Sequence, residues 1–243
     1  MSEMLTEAWR TLVPERESRH GPLPPMMLAL TLVTGFVDAY SYLQLGHVFV
    51  ANMTGNVVFT GFAIAGANGF SLTASLAALA AFTLGAVFGG RINRRSREHR
   101  GRLLHTALLL EFALMVAAYF VVQLGPAITD AGMRYSLIAL LGLAMGVQNA
   151  AARTLAVPDL TTTVLTLTIT GTGVDSRAGG GTGSKSGRRL LSVLAMFLGA
   201  LLGAVAILHG HPAVSLLCAV VLLAGAVVGA SRTVHSTAAW TRP

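Results

Sequence analysis

Charge is what this 243-residue chain has least of. Asp, Glu, Lys and Arg make up 11% of it, against about 25% in a soluble domain. A soluble globular fold is therefore excluded. Only one cysteine is present, Cys218, inside an apolar run, so no intrachain disulfide can form. The strict apolar–polar alternation of an outer-membrane barrel is missing. Metal-ligand spacing, paired catalytic carboxylates and a nucleophile elbow are also missing, so we read the chain as no enzyme and expect no cofactor. Gly183-Ser184-Lys185-Ser186 lacks the glycine that a phosphate loop needs before lysine, and no strand precedes it.

What the chain has in abundance is long apolar sequence. Hydrophobic residues make up 53% of it, and the mean hydropathy is +0.67. Apolar helices long enough to cross a bilayer are expected at Met26–Leu45, Leu72–Gly90, Leu103–Leu124, Ser136–Ala152, Leu190–Leu208 and Ala213–Ala230. Two further segments differ. Val48–Gly66 carries Asn52, Thr54 and Asn56 in its middle. Leu160–Thr172 is too short to cross and is rich in threonine. The expected fold is all-α, a polytopic membrane bundle of six spanning helices plus two polar half or re-entrant segments.

The order of these features repeats. Gly35-Phe36-Val37-Asp38-Ala39 resembles Gly146-Val147-Gln148-Asn149-Ala150 at an offset of 111. Met53-Thr54 falls on Leu165-Thr166 at 112, and Leu84-Gly85-Ala86 with Gly89 falls on Leu198-Gly199-Ala200 with Gly203 at 114. The organisation read from this is a polar N-terminal tail (1–25), a first membrane repeat (26–124), a second (125–230) and a C-terminal tail (231–243). The second repeat contains a flexible Gly/Ser-rich basic loop at 171–189.

Charge placement sets the topology. The formal charge is +7, and the basic residues cluster between apolar runs. That pattern fits membrane orientation and anionic lipid headgroups rather than nucleic acid. If the two polar segments enter and leave on one side, every Lys and Arg except Arg134 falls inside, including Arg91, Arg94, Arg95, Arg97, Arg100 and Arg102. Three crossings per repeat then give the halves opposite orientations, a plan that recurs in transporters. The expected location is the inner (cell) membrane with both termini cytoplasmic. Six short helices bury little surface, which leaves a homodimer open.

Polar groups at membrane depth face a protein interior, a cavity or a solute. On this ground Asp38, Asn52, Thr54, Asn56, Gln148, Asn149, Thr162 and Thr166 are candidate solute contacts. Asn52, Asn56 and Thr60 share one face of a helix at four-residue spacing, as do Thr162, Thr166 and Thr170. Asp38 and Glu111 are proton-site candidates. The competing reading is that these groups only hydrogen-bond neighbouring helices. Gly85/Gly89 and Gly199/Gly203 suit close helix contact. Asp175 is placed to cap a helix or to close the inner end of a pathway.

The runs Gly35–Ala39, Gly46-His-Val-Phe-Val-Ala-Asn52-Met-Thr54-Gly55-Asn56 and Met145–Arg153 resemble the YoaK family of bacterial membrane proteins. The resemblance extends from about Met26 to Ala230. In that family a Thr-Gly pair tends to mark the second half, whereas Leu167 follows Thr166 here. The resemblance implies an integral inner-membrane protein of about six crossings and supplies no substrate. Function is therefore read from the residues: a transporter or channel-like protein for a small polar solute, with proton linkage through Asp38. The alternative is a non-transporting structural or interaction protein of the membrane.

Overall fold

A computed structural model describes residues 3–15, 18–96, 98–125, 130–176, 179–181 and 186–242. Among them the chain is helical with irregular connections and no strand. Six helices are long and apolar enough to span a bilayer: α2 (Leu23–Gln44), α4 (Leu72–Arg95), α5 (Arg100–Leu124), α6 (Ala131–Leu155), α8 (Ser186–Leu208) and α9 (Pro212–Ser231). Three shorter ones are α1 (Glu3–Leu12), α3 (Met53–Ile64) and α7 (Thr166–Val174).

Local chemistry sets the helix starts. Pro24 and Pro25 stand in the first turn of α2, and Pro212 opens α9, where a missing N–H costs nothing. Side chains of Ser71, His99 and Asp130 accept from the free amides of Ala74, Arg102 and Met133 at the starts of α4, α5 and α6.

α2 and α6 are the most enclosed of the spanning helices. α2 packs on α8 and α9, α6 packs on α4 and α5, and α5 meets α9. The outer helices turn Leu84, Phe88, Phe120, Phe197 and Leu202 outward, as a lipid-facing surface requires. Gly85 and Gly146 let the backbones of α4 and α6 touch: a Cβ on Gly146 would lie 2.7 Å from the amide nitrogen of Ala86 and 2.9 Å from the Cα of Gly85. At the α2–α8 crossing, a Cβ on Gly35 would lie 2.7 Å from the amide nitrogen of Ala200.

The bundle has two distinguishable ends. At one, Arg100 ties the start of α5 to Leu155 at the end of α6 (2.6 Å) and to His20 before α2 (3.3 Å). At the other, Thr73 at the start of α4 meets Tyr135 at the start of α6 (2.6 Å). His47, just past α2, contacts the Gly69 carbonyl just before α4 at 3.1 Å. The segment between them, which contains α3, therefore starts and finishes at this same end. With 12 residues, α3 extends about 18 Å, short of a hydrocarbon core roughly 30 Å thick.

The second short segment behaves alike at the opposite end. Arg189 in the first turns of α8 pairs with Asp159 (2.9 Å) and Asp175 (2.7 Å), which flank α7. It also donates to the Gly171 carbonyl at 2.5 Å. Asp175 thus closes an ion pair at the end of α7.

The structure bears on four expectations. The N-terminal residues include a helix: α1 lies on α8, where Gly187 abuts the Ala8 backbone and donates its amide to Glu7 at 2.9 Å. Within the C-terminal tail a 3-10 turn at Ala239–Thr241 buries Trp240. The polar stripes are shorter than expected, because α3 begins at Met53 and α7 at Thr166, which leaves Asn52 and Thr162 outside the helices. The glycine-rich loop gives up its first residues to α7 and its last to α8. Arg97 and Gly183-Ser184-Lys185 lie outside the described residues.

Candidate functional site

The polar residues of α2 and α6 hold the two re-entrant segments. On α2, Asp38 Oδ1 accepts from the Ala51 amide at 3.2 Å. Residues 45–52 thus turn back from the end of α2 toward its middle. Asn56 completes the return: its Oδ1 accepts from the Phe49 amide (3.0 Å) and its Nδ2 donates to the Phe49 carbonyl (2.6 Å). That carboxamide is fully buried. Backbone that would otherwise lie unpaired at membrane depth is satisfied by one side chain.

Gly55 explains its own position in the Asn-Met-Thr-Gly-Asn run. A Cβ there would lie 2.7 Å from the Phe49 ring. That ring stacks between Tyr42 (centroids 5.0 Å apart) and Phe59 (5.7 Å). The sequence reading missed this aromatic cluster. Its signal is Tyr42, Phe49, Phe59 and Phe70 gathered around one polar segment.

On α6, Gln148 Nε2 donates to Thr162 Oγ1 (3.0 Å) and to Thr34 Oγ1 of α2 (2.9 Å). Asn149 Oδ1 accepts from Thr163 Oγ1 at 2.6 Å. Thr163 lies one residue beyond the candidate Thr162, and the four-residue spacing does not mark it. Thr162 adopts φ of 65°, a left-handed conformation that turns the chain toward Gln148 and rules out a helical stripe through it. Gln148 is the point where α2, α6 and the second re-entrant segment meet.

Buried polar atoms without a partner among the described residues include Gln148 Oε1, both oxygens of Glu111 and the Tyr40 hydroxyl, beside Ser18 Oγ, Asn93 Oδ1, His105 Nδ1, Arg134 Nε and Asp159 Oδ2. Such groups are uncommon in well-packed proteins, and each calls for a cause such as strain, a bound water, an ion or a solute. Asn52, Thr54 and Thr166 are exposed on the bundle, so the structure does not bring them to Gln148. Thr170 is exposed as well, and Thr60 only bonds back to the Asn56 carbonyl at 2.8 Å.

Similarity to known proteins agrees with this architecture. A family model described as "Protein of unknown function (DUF1275)" matches residues 26–229. The chain belongs to the DUF1275 family. This DUF1275 protein is also 32% identical over 144 residues to a UPF0700 transmembrane protein, YoaK, of Bacillus subtilis (strain 168). That alignment covers 59% of this chain and 63% of the relative, so the match spans somewhat less than two thirds of YoaK. No solved structure matches. The matched region begins inside α2 and ends inside α9. It therefore holds both re-entrant segments and leaves out α1 and the C-terminal turn.

Proposed function

We propose that this membrane protein passes a small polar solute through a site between its two re-entrant segments, and that its halves are oppositely oriented copies of one unit. Support for the duplication comes from matched contacts. Gly35 abuts the Met196 carbonyl, the Ala200 amide and Gly199, and Gly146 abuts the Phe82 carbonyl, the Ala86 amide and Gly85. Each of these atoms maps onto its counterpart at the offsets of 111 and 114. The Asp38–Ala51 bond likewise has its counterpart in Asn149–Thr163. The basic end, with both termini, faces the cytoplasm in this reading.

The observation that carries the solute site is Gln148. Its amide nitrogen joins α2 to a re-entrant segment, while its carbonyl oxygen is buried at 1% exposure and unpartnered. An acceptor held in that way can replace water on a solute hydroxyl, amide or ammonium. Asp38 on α2 and Glu111 on α5 add carboxyl groups inside spanning helices that can take up a proton or bind a cation. Polar half-segments that meet near mid-membrane are the arrangement in which transporters bind their substrates.

The test is flux in liposomes for a panel of small polar solutes and protons, with the wild type, Gln148→Met and Asp38→Asn. Asp38→Asn keeps an oxygen for the Ala51 amide and removes only the charge. Loss of one flux in Gln148→Met, with normal folding, supports the site. Variants that fold and leave every detected flux unchanged would overturn it.

A further inference from the structure

We propose that a basic cavity at the His20 end of the bundle binds a phosphate-bearing anion, at a site separate from the solute site. The cavity measures about 780 Å³. Arg19, Arg94, Arg100, Arg153, Arg242 and His20 line it, and among the described residues no Asp or Glu does. These residues come from the segment before α2, the ends of α4 and α6, the start of α5 and the C-terminal turn. Folding gathers them from five places in the sequence.

Among the described residues no carboxylate compensates these arginines. Arg100 donates to the carbonyls of Leu155 (2.6 Å) and Trp240 (3.4 Å), which are neutral acceptors. Ion pairs of the described residues engage Arg10 and Arg189, none of the cavity arginines. The positive field also acts on a neighbouring group. Besides partial burial, Arg100, Arg188 and Arg19 push the His20 pKa below its ordinary value. Five like charges around one concavity repel each other unless an anion joins them. Guanidinium groups match phosphate oxygens in a two-pronged geometry.

Two neutral groups narrow the ligand. Asn93, 2% exposed in the wall, donates to Thr154 at 3.4 Å and leaves its Oδ1 unpartnered. That oxygen suits a hydroxyl beside the phosphate. Ala239 and Trp240 of the C-terminal turn also line the cavity. A glycerol phosphate fits both features, whether it is the headgroup of an anionic lipid or a soluble ester. Basic pockets between helices on the cytoplasmic side are a known setting for acidic headgroups.

The experiment measures thermal unfolding of the delipidated full-length protein in neutral detergent. Phosphatidylglycerol, phosphatidylcholine and glycerol 3-phosphate are added separately. Phosphatidylglycerol or glycerol 3-phosphate should raise Tm, and phosphatidylcholine should not. A response to the lipid alone identifies a headgroup site, and a response to the soluble ester identifies a free phosphate ester. Arg94 and Arg153 are exposed and make no described internal bond, so Arg94→Gln/Arg153→Gln should fold normally. It should weaken the apparent affinity about tenfold or more. Arg91→Gln/Arg95→Gln removes the same charge outside the cavity and should leave the response intact. The proposal is overturned if no anion shifts Tm, or if the two double variants respond alike.

Discussion

Gly35 and Gly199 meet backbone to backbone where α2 crosses α8: a Cβ on Gly35 would lie 2.9 Å from the Cα of Gly199. Nothing at that crossing is a flexible side-chain end that could swing aside. Gly199→Leu should therefore destabilise the protein by about 3 kcal/mol, at the upper end of overpacking costs. Gly225→Ala, where a Cβ meets nothing within 4 Å, should leave stability nearly unchanged. Thermal unfolding of the two variants in one detergent compares them directly.

Thr34 and Gln148 are linked at 2.9 Å. Thr34→Val deletes an acceptor and leaves a buried amide proton with one partner fewer, at a cost of about 1–2 kcal/mol. Gln148→Met removes donor and unpartnered acceptor together in a similar volume. Its stability should stay within about 1 kcal/mol of the wild type. Chemical unfolding in mixed micelles gives both values. A larger loss for Gln148→Met than for Thr34→Val would contradict the account.

Arg189, with its side chain 7% exposed, pairs with Asp159 and with the more open Asp175. Arg189→Met strands one largely buried carboxylate. The cost should be roughly 2–3 kcal/mol, between the limits for surface and buried pairs. Local release of α7 should accompany it, read as faster amide hydrogen exchange over residues 166–176.

His20 gives a pH dependence with a definite sign. Its pKa lies below the ordinary 6.5, through burial first and the nearby arginines second. Above pH 6.5 both folded and unfolded forms are neutral there, and His20 adds no slope. As pH falls below 6.5, the unfolded chain takes up a proton that the folded protein resists, so stability declines until the folded pKa is passed. His20→Gln should flatten that part of the curve. Unfolding temperatures between pH 7.5 and 5 check it.

The re-entrant geometry predicts a labelling pattern. In a Cys218→Ser background, Asn68→Cys and His209→Cys should react with an impermeant thiol reagent from one side of the membrane. Ser231→Cys should react only from the other. If Asn68→Cys reacts from the same side as Ser231→Cys, α3 crosses the bilayer.

The long apolar runs were legible because lipid imposes a coarse requirement: about 20 apolar residues, whatever their packing. Hence each of the six expected spans is a long helix, displaced only at its ends. The short polar segments were legible as anomalies for the same reason. The contacts inside them were not. A four-residue spacing implied helical stripes through Asn52 and Thr162, but both lie in irregular backbone before their helices. Whether a helix begins at 48 or at 53 depends on which amides find side-chain partners, here Asp38 and Asn56.

Composition and spacing of residues were enough to make this a six-helix membrane protein, to locate Asp38, Gln148 and Asn149 in its interior, and to mark glycines for close crossings. Those properties follow from transfer of single side chains and short segments into lipid. Folding was needed to pair Gln148 with Thr34 and to set Arg189 between Asp159 and Asp175. It also gathered arginines from five separate segments around one cavity. Each of these depends on atoms far apart along the chain, and no local free-energy preference encodes such a distance.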